Sequence, residues 1–192
     1  MMSTMAMDSV RRHRLTVANY YRMAEAGILR ADARVELIEG EIIDMAPIGR
    51  QHAGTVNHLN RILQQAVGER AIVQIQNPVS LDEYSEPEPD VALLRPRADF
   101  YKSGHPQPQD VLLIIEVADT SSRYDREVKV PLYARHGIGE VWVLDLEGGN
   151  LTRYRDPREG SYARIDRPDL HSPIAIEALP DLRLALGPVL VD

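Results

Sequence analysis

The sequence predicts an α/β protein with β-hairpins at its N-terminal and C-terminal ends. Three observations predict it. Residues 111–117 (Val-Leu-Leu-Ile-Ile-Glu-Val) and 140–146 are apolar runs of the kind carried by strands buried on both faces. A helical stretch between them completes a strand-helix-strand unit, which implies a parallel pair with a right-handed crossover. Residues 51–67 repeat with helical period, Val56, Leu59, Leu63 and Val67 forming one apolar stripe.

The elements follow in order. Residues 16–26 predict a short helix, with Thr16 as N-cap and Gly27 as the stop. Residues 34–45 predict a hairpin, turning at Glu39-Gly40, where glycine suits the positive φ of a tight turn. Pro47 and Gly49 break the chain before the helix of residues 51–67. Residues 72–81 read as a strand, with Pro78 marking an edge or an end. A Pro-rich acidic stretch, 86–90, leads into the apolar run 91–94, and residues 99–109 read as a loop. After the strand 111–117, Ser121 and Ser122 cap a helix that runs to about His136 and stops at Gly137. Pro131 is out of place inside that helix, at about 3 kcal/mol, so the helix is expected to kink or to start later. From Asn150 onward the sequence predicts β-hairpins with Gly-Gly, Asp-Pro and Glu-Gly turns.

At 192 residues the chain is long enough to bury a core without staples. Residues 1–14 are expected to form a mobile leader and 15–192 a single domain. The absence of cysteine excludes disulfides and thiolate zinc sites. No apolar run reaches the roughly 20 residues of a membrane span, and the N-terminus lacks the apolar stretch of a secretory signal, so a cytoplasmic location is expected. A net charge of -7 argues against a strongly basic, nonspecific nucleic-acid binder but not against a nuclease, whose site concentrates carboxylates. Basic charge is local: Arg11, Arg12, Arg14, Arg22 and Arg30 in one region, Arg123, Arg126 and Lys129 in another, with a solvated face as the plain alternative for each.

Three residues carry the chemistry. Asp90 follows Pro89 at the start of a strand, Glu116 lies near the end of the next strand, and Lys129 lies on the following helix, one turn after Asp125. If the strands are neighbours, the two carboxylates converge at the end of the sheet, and a divalent cation relieves their repulsion. Mg²⁺ suits such a pair because it takes one or two carboxylates and keeps several waters; Mn²⁺ is its natural substitute. A metal so held polarises a phosphate and activates water, and a lysine beside it supports the charge that develops. Each residue also has a structural explanation: Asp90 as a turn residue, Glu116 in a buried salt bridge, Asp125 and Lys129 as a solvated i,i+4 pair. His52 opens the long helix as a phosphate or water contact, or else as a cap. Tyr133, one turn past Lys129, is expected in the core, with packing against the site as the alternative, and Trp142 is expected in the core. His58, His105, His136 and His171 show no ligand spacing.

The motifs Glu-Pro-Asp (88–90), Ile-Glu-Val-Ala-Asp-Thr-Ser (115–121), Asp-Arg-Glu-Val-Lys (125–129), Leu-Tyr-Ala (132–134) and Gly-Ile-Gly-Glu-Val-Trp-Val-Leu-Asp (137–145), in that order, resemble the Uma-type restriction endonuclease family. This is a bacterial family, abundant in cyanobacteria, within the PD-(D/E)XK nuclease superfamily. The resemblance runs from about Leu15 to the C-terminal hairpins. It implies a restriction-endonuclease-like core, a central mixed β-sheet flanked by helices, and Mg²⁺-dependent phosphodiester cleavage. Asp90 matches the aspartate of the PD motif and Glu116 the acidic residue of (D/E)XK. Position 118 is alanine where the superfamily pattern has lysine; the family places that lysine on the next helix, which maps it onto Lys129. Glu36 matches an N-terminal glutamate near the metal, the alternative being an exposed hairpin carboxylate.

The expected function is therefore a Mg²⁺-dependent DNA endonuclease. Glu36, Asp90 and Glu116 are its metal ligands, Lys129 orients or activates the attacking water, and His52, Arg123 and Arg126 contact substrate. A homodimer is the expected assembly, as a double-strand cutter would favour. The alternatives are a catalytically silent nucleic-acid-binding protein that keeps the fold, and a metal-dependent hydrolase of another phosphoester.

Overall fold

The structure is a computed structural model and describes residues 12–30, 32–119 and 122–189. Most of the expected leader, including Arg11, lies outside the described residues, as do Ser121 and the side chain of Ser122.

Helix α1 (Val17–Glu25) begins with a capping box: Thr16 Oγ1 accepts from the Asn19 N–H, and Asn19 Oδ1 accepts from the Thr16 N–H. Strands β1 (Val35–Ile38) and β2 (Glu41–Asp44) form the N-terminal hairpin. Its turn places Glu39 at φ 51° and Gly40 at φ 84°, the left-handed pair that a two-residue hairpin needs. A Cβ at Gly40 would also sit 2.6 Å from Arg14 Cβ.

The central sheet has six strands among the described residues: β3 (Ile72–Ile75), β4 (Val91–Leu94), β5 (Val111–Ala118), β6 (Glu140–Asp145), β7 (Asn150–Arg158) and β8 (Ser161–Asp166), neighbouring one another in that order. Only the β5–β6 pair is parallel, so the sheet is mixed as expected. Strands β9 (Ile174–Ile176) and β10 (Leu179–Leu184) form the C-terminal hairpin. Three boundaries differ from expectation. Residues 72–81 do not form one strand, because Gln76 turns to φ 47° and ends β3 at Ile75. Asp156-Pro157 is no turn: it lies inside β7, where Asp156 takes φ 60° and the β7–β8 register has no pair at that residue. The third concerns Pro131.

The segment after β5 is α3 (Ser122–Tyr124), a π-helical turn (Asp125–Lys129) and α4 (Val130–Arg135), in unbroken succession. The Val130 N–H donates to the Asp125 carbonyl, five residues back. Pro131 is the second residue of α4 and follows this widened turn, so the helical segment does not start late but is widened ahead of the proline.

Each face of the sheet has its own core. On one face α2 (Arg50–Val67) lays Val56, Leu59, Leu63 and Val67 against Val91, Leu93, Leu113, Ile115, Val117 and Trp142, joined by the C-terminal hairpin. On the other face α4 packs Leu132, Tyr133 and Ala134 against Ala92, Leu94, Ile114, Ala118, Val141 and Val143. Strand side chains alternate between the faces, so Glu116, between Ile114 and Ala118, points to the α4 side. Leu63 is fully buried at the centre of the α2 stripe. Leu63→Ala is expected to lower stability by about 2–5 kcal/mol, through lost burial plus the cavity left behind. The shift of the urea midpoint at unchanged m-value measures it.

Candidate active site

The site forms where the start of β4 meets the end of β5. The antiparallel register sets Val91 against Ile115, so one residue further out Asp90 faces Glu116. The Asp90 N–H donates to Glu116 Oε2 at 3.3 Å. In turn Asp90 Oδ2 accepts from the Val117 N–H at 2.9 Å. These two bonds tie the carboxylates of neighbouring strands to one another's backbone.

The helical segment on the α4 face supplies the counter-charge. Lys129 Nζ lies 2.9 Å from Glu116 Oε1 and 3.4 Å from Glu36 Oε2, with all three side chains at most 5% exposed. The Tyr133 hydroxyl donates to the same Glu116 Oε1 at 2.6 Å. Glu36 Oε2 also accepts from the Glu88 N–H at 3.1 Å. From the other side of the sheet His52, in the first turn of α2, brings Nε2 to 3.1 Å from Asp90 Oδ1, where Gln76 Nε2 also donates at 3.2 Å. A cavity of about 290 Å³ opens over this cluster, walled by Glu36, Glu88, Asp90, Glu116, Asp119 and Asp125 among others, with residues 45–49 at one side.

The electrostatics follow from burial in an acidic pocket. Burial pushes the Glu116 carboxyl up to about 8, Lys129 opposes this, and Asp125 and Asp90 add to it. Burial works against the Lys129 charge, but Glu116, Tyr133 and Glu36 outweigh it and hold the ammonium well above its usual range. Burial also works against the Asp90 charge, yet His52, the Val117 N–H and Lys129 keep that carboxyl below its ordinary value. The hydrogen bond to Asp90 raises His52 in turn, against the effect of burial. Asp90 is thus an anion with partners, whereas Glu116 is a carboxyl for which the surrounding positive charge is insufficient.

The structure brings Glu36, Asp90, Glu116, Lys129 and His52 to one pocket. Arg123 and Arg126 do not line it: Arg123 pairs with Glu127 at 2.9 Å and Arg126 with Asp145 at 2.7 Å. Asp125 and Lys129, four residues apart, are buried rather than a solvated helix face. Glu36 is buried, not an exposed hairpin carboxylate. Tyr133, expected in the core with packing against the site as the alternative, is buried and also bonded to Glu116. Trp142 is core, with its Nε1 donating to buried Glu140 at 2.8 Å.

Among the described residues no three His, Cys, Asp or Glu side chains converge as a ready-made metal cage. Asp90 and Glu116 are a pair, and a pair fits Mg²⁺, which uses one or two carboxylates and retains water. The raised Glu116 carboxyl points the same way, since a nearby divalent cation would discharge it.

A family model described as "Uma2: Putative restriction endonuclease" matches residues 17–187. Among solved structures, the crystal structure of a "putative nuclease belonging to DUF820" from Anabaena variabilis is similar with a TM-score of 0.70 at 15% sequence identity, over 92% of this chain and 99% of that one. At that identity the likeness shows the fold. No curated protein matches the sequence. Among the described residues no helix is long and apolar enough to cross a membrane.

Proposed function

This chain belongs to the Uma2 family of restriction-endonuclease-like proteins, and from that premise we propose that it hydrolyses phosphodiester bonds of DNA with Mg²⁺ held by Asp90 and Glu116. The observation that carries the proposal is the convergence of these two carboxylates from adjacent strands beside a buried ammonium group. Glu36 stands in the same acidic wall, with its Oε2 taken up by Lys129 and the Glu88 N–H.

When bound, Mg²⁺ supplies Lewis acidity toward a phosphate oxygen and lowers the pKa of a coordinated water. The protein does the rest by position. Asp90 is held by the Val117 N–H on one oxygen and by His52 on the other. Lys129 keeps its proton at neutral pH, so its role is a fixed positive charge that orients water and supports the developing negative charge, not general base catalysis. His52 Nε2 reaches Asp90 from the far side, which makes His52 a positioning residue for Asp90. A homodimer in which two such pockets address the two strands is proposed with this activity, and light scattering in solution decides it.

The direct test is cleavage of plasmid and short duplex DNA in Mg²⁺ and in EDTA, with RNA as the competing substrate. Cleavage that needs Mg²⁺ and prefers DNA supports the proposal. Retention of DNA without cleavage supports the silent-binder alternative instead.

A pH dependence follows from Glu116. Its carboxyl holds a proton below about 8 in the folded chain. Mg²⁺ must displace that proton, so apparent affinity is expected to rise with pH up to about 8 and then level off. At free Mg²⁺ near 100 times its dissociation constant, the stabilisation is about 2.7 kcal/mol. That corresponds to a Tm rise of roughly 5–11 °C for a domain of this size. Thermal unfolding at fixed Mg²⁺ from pH 6 to pH 9 measures it, and a rise that does not change with pH counts against Glu116 as a ligand.

A further inference from the structure

We propose that Tyr133 is the positioning residue that orients Glu116 toward the metal; this rests on the assignment of Asp90 and Glu116 as the metal pair. Tyr133 is fully buried, and its hydroxyl donates to Glu116 Oε1 at 2.6 Å. Lys129 Nζ takes the same oxygen at 2.9 Å. With Oε1 held twice, the carboxylate is fixed about its last bond, and Oε2 is the oxygen turned to Asp90, whose N–H reaches it at 3.3 Å. Metal-binding side chains are commonly held in this way, one atom tied to the protein and the other presented to the ion.

The helix shows how the two donors reach one atom. Asp125, Lys129 and Tyr133 are spaced by four residues. In a plain α-helix, residues four apart drift about 40° round the axis, so the third would stand about 80° from the first. A turn closed by i→i+5 bonds is wider and counters that drift over its length. Here the π-helical turn spans Asp125–Lys129, and Val130 donates to Asp125. Wide turns of this kind are rare and concentrate at functional sites. Pro131, with no N–H to give, follows it directly. The result is one buried stripe of Asp125, Lys129 and Tyr133, from which Lys129 reaches Glu116 and Glu36 and Tyr133 reaches Glu116. A phenol suits the third place because it donates a hydrogen bond without adding charge.

The experiment is calorimetric titration of Mn²⁺ into the full chain, wild type against Tyr133→Phe, which removes the donor and keeps the ring. Leu63→Ala serves as the control, since it loses stability on the far face of the sheet without touching Glu116. Mn²⁺ binding is expected to weaken by about tenfold or more in Tyr133→Phe and to stay at the wild-type value in Leu63→Ala. Cleavage at saturating metal is expected to fall in Tyr133→Phe as well. Mn²⁺ affinity in Tyr133→Phe within twofold of wild type overturns the positioning role while leaving the metal site standing. A wild-type chain that takes up no Mn²⁺ removes the site itself, and the role of Tyr133 with it.

Discussion

Asp90→Asn is expected to cut Mg²⁺-dependent DNA cleavage by about 10³-fold or more, the several kcal/mol that a correctly held metal contributes to the transition state. The same substitution is expected to leave unfolding in EDTA within about 1 kcal/mol of wild type, because the Val117 and His52 contacts survive it and only the Gln76 bond to Asp90 Oδ1 is given up. Asparagine keeps an oxygen for the Val117 N–H, which Asp90 now satisfies at 2.9 Å. Its amide N–H can face the His52 nitrogen that now sits 3.1 Å from Asp90 Oδ1. What is lost is one negative charge next to Glu116, and that loss relieves repulsion when no metal is present. The Mg²⁺-induced rise in Tm should therefore disappear together with cleavage. Activity within tenfold of wild type would remove Asp90 from the metal site, and with it the proposed mechanism.

The site was legible in the sequence where a residue broke the pattern of its surroundings. Glu116 stands in an otherwise apolar strand, and an unpaired charge there is costly enough to demand a partner. Asp90 was legible by its place ahead of an apolar run, but its meeting with Glu116 depends on the antiparallel register of β4 on β5, which spacing alone does not state. Pro131 was legible as an anomaly. Its resolution, a widened turn just ahead of it, depends on the packing of α4 against the sheet and on the buried bonds of Lys129 and Tyr133. Nothing local in Leu-Tyr-Ala separates a core tyrosine from one that holds a carboxylate, so the role of Tyr133 became visible only with the fold.

Arg123 and Arg126, expected as substrate contacts from charge clustering next to the motif, stand outside the pocket, Arg123 paired with Glu127 on its own helical segment and Arg126 with Asp145 at the end of β6. The fold itself was more legible than the site. Two apolar runs and a helical stretch between them fix a parallel pair, and the N-terminal hairpin carried its turn residues, whereas the β9–β10 hairpin turns at Glu177-Ala178, which the sequence did not mark. The errors fell at Gln76 and Asp156, non-glycine residues in left-handed backbone that local composition does not mark.

Lys129→Ala is expected to be the most destabilising single change at the site. It would leave Glu36 and Glu116, both buried, without the ammonium group they share. Removing one partner of a buried ion pair typically costs about 3–5 kcal/mol, or roughly 6–20 °C in Tm for a domain of this length. Lys129→Met keeps most of the volume and separates lost packing from lost charge. The sign with pH is fixed by Glu116. Burial raises its folded carboxyl from the ordinary carboxylate range to about 8, so its favourable contribution is complete below the unfolded value and is lost as pH rises through the folded one. Without Lys129 that carboxyl rises further, because the ammonium now opposes the shift. The deficit of Lys129→Met relative to wild type should then grow from pH 5 toward pH 9, on top of the part owed to Glu36, which loses the same ammonium. Mg²⁺ should restore more stability to Lys129→Met than it adds to wild type, since the ion takes over part of the neutralisation, while cleavage stays low because the fixed charge beside the phosphate is gone. A deficit that is flat from pH 5 to pH 9 would mean that Lys129 acts through packing alone, and the electrostatic account of this pocket would fail at its centre.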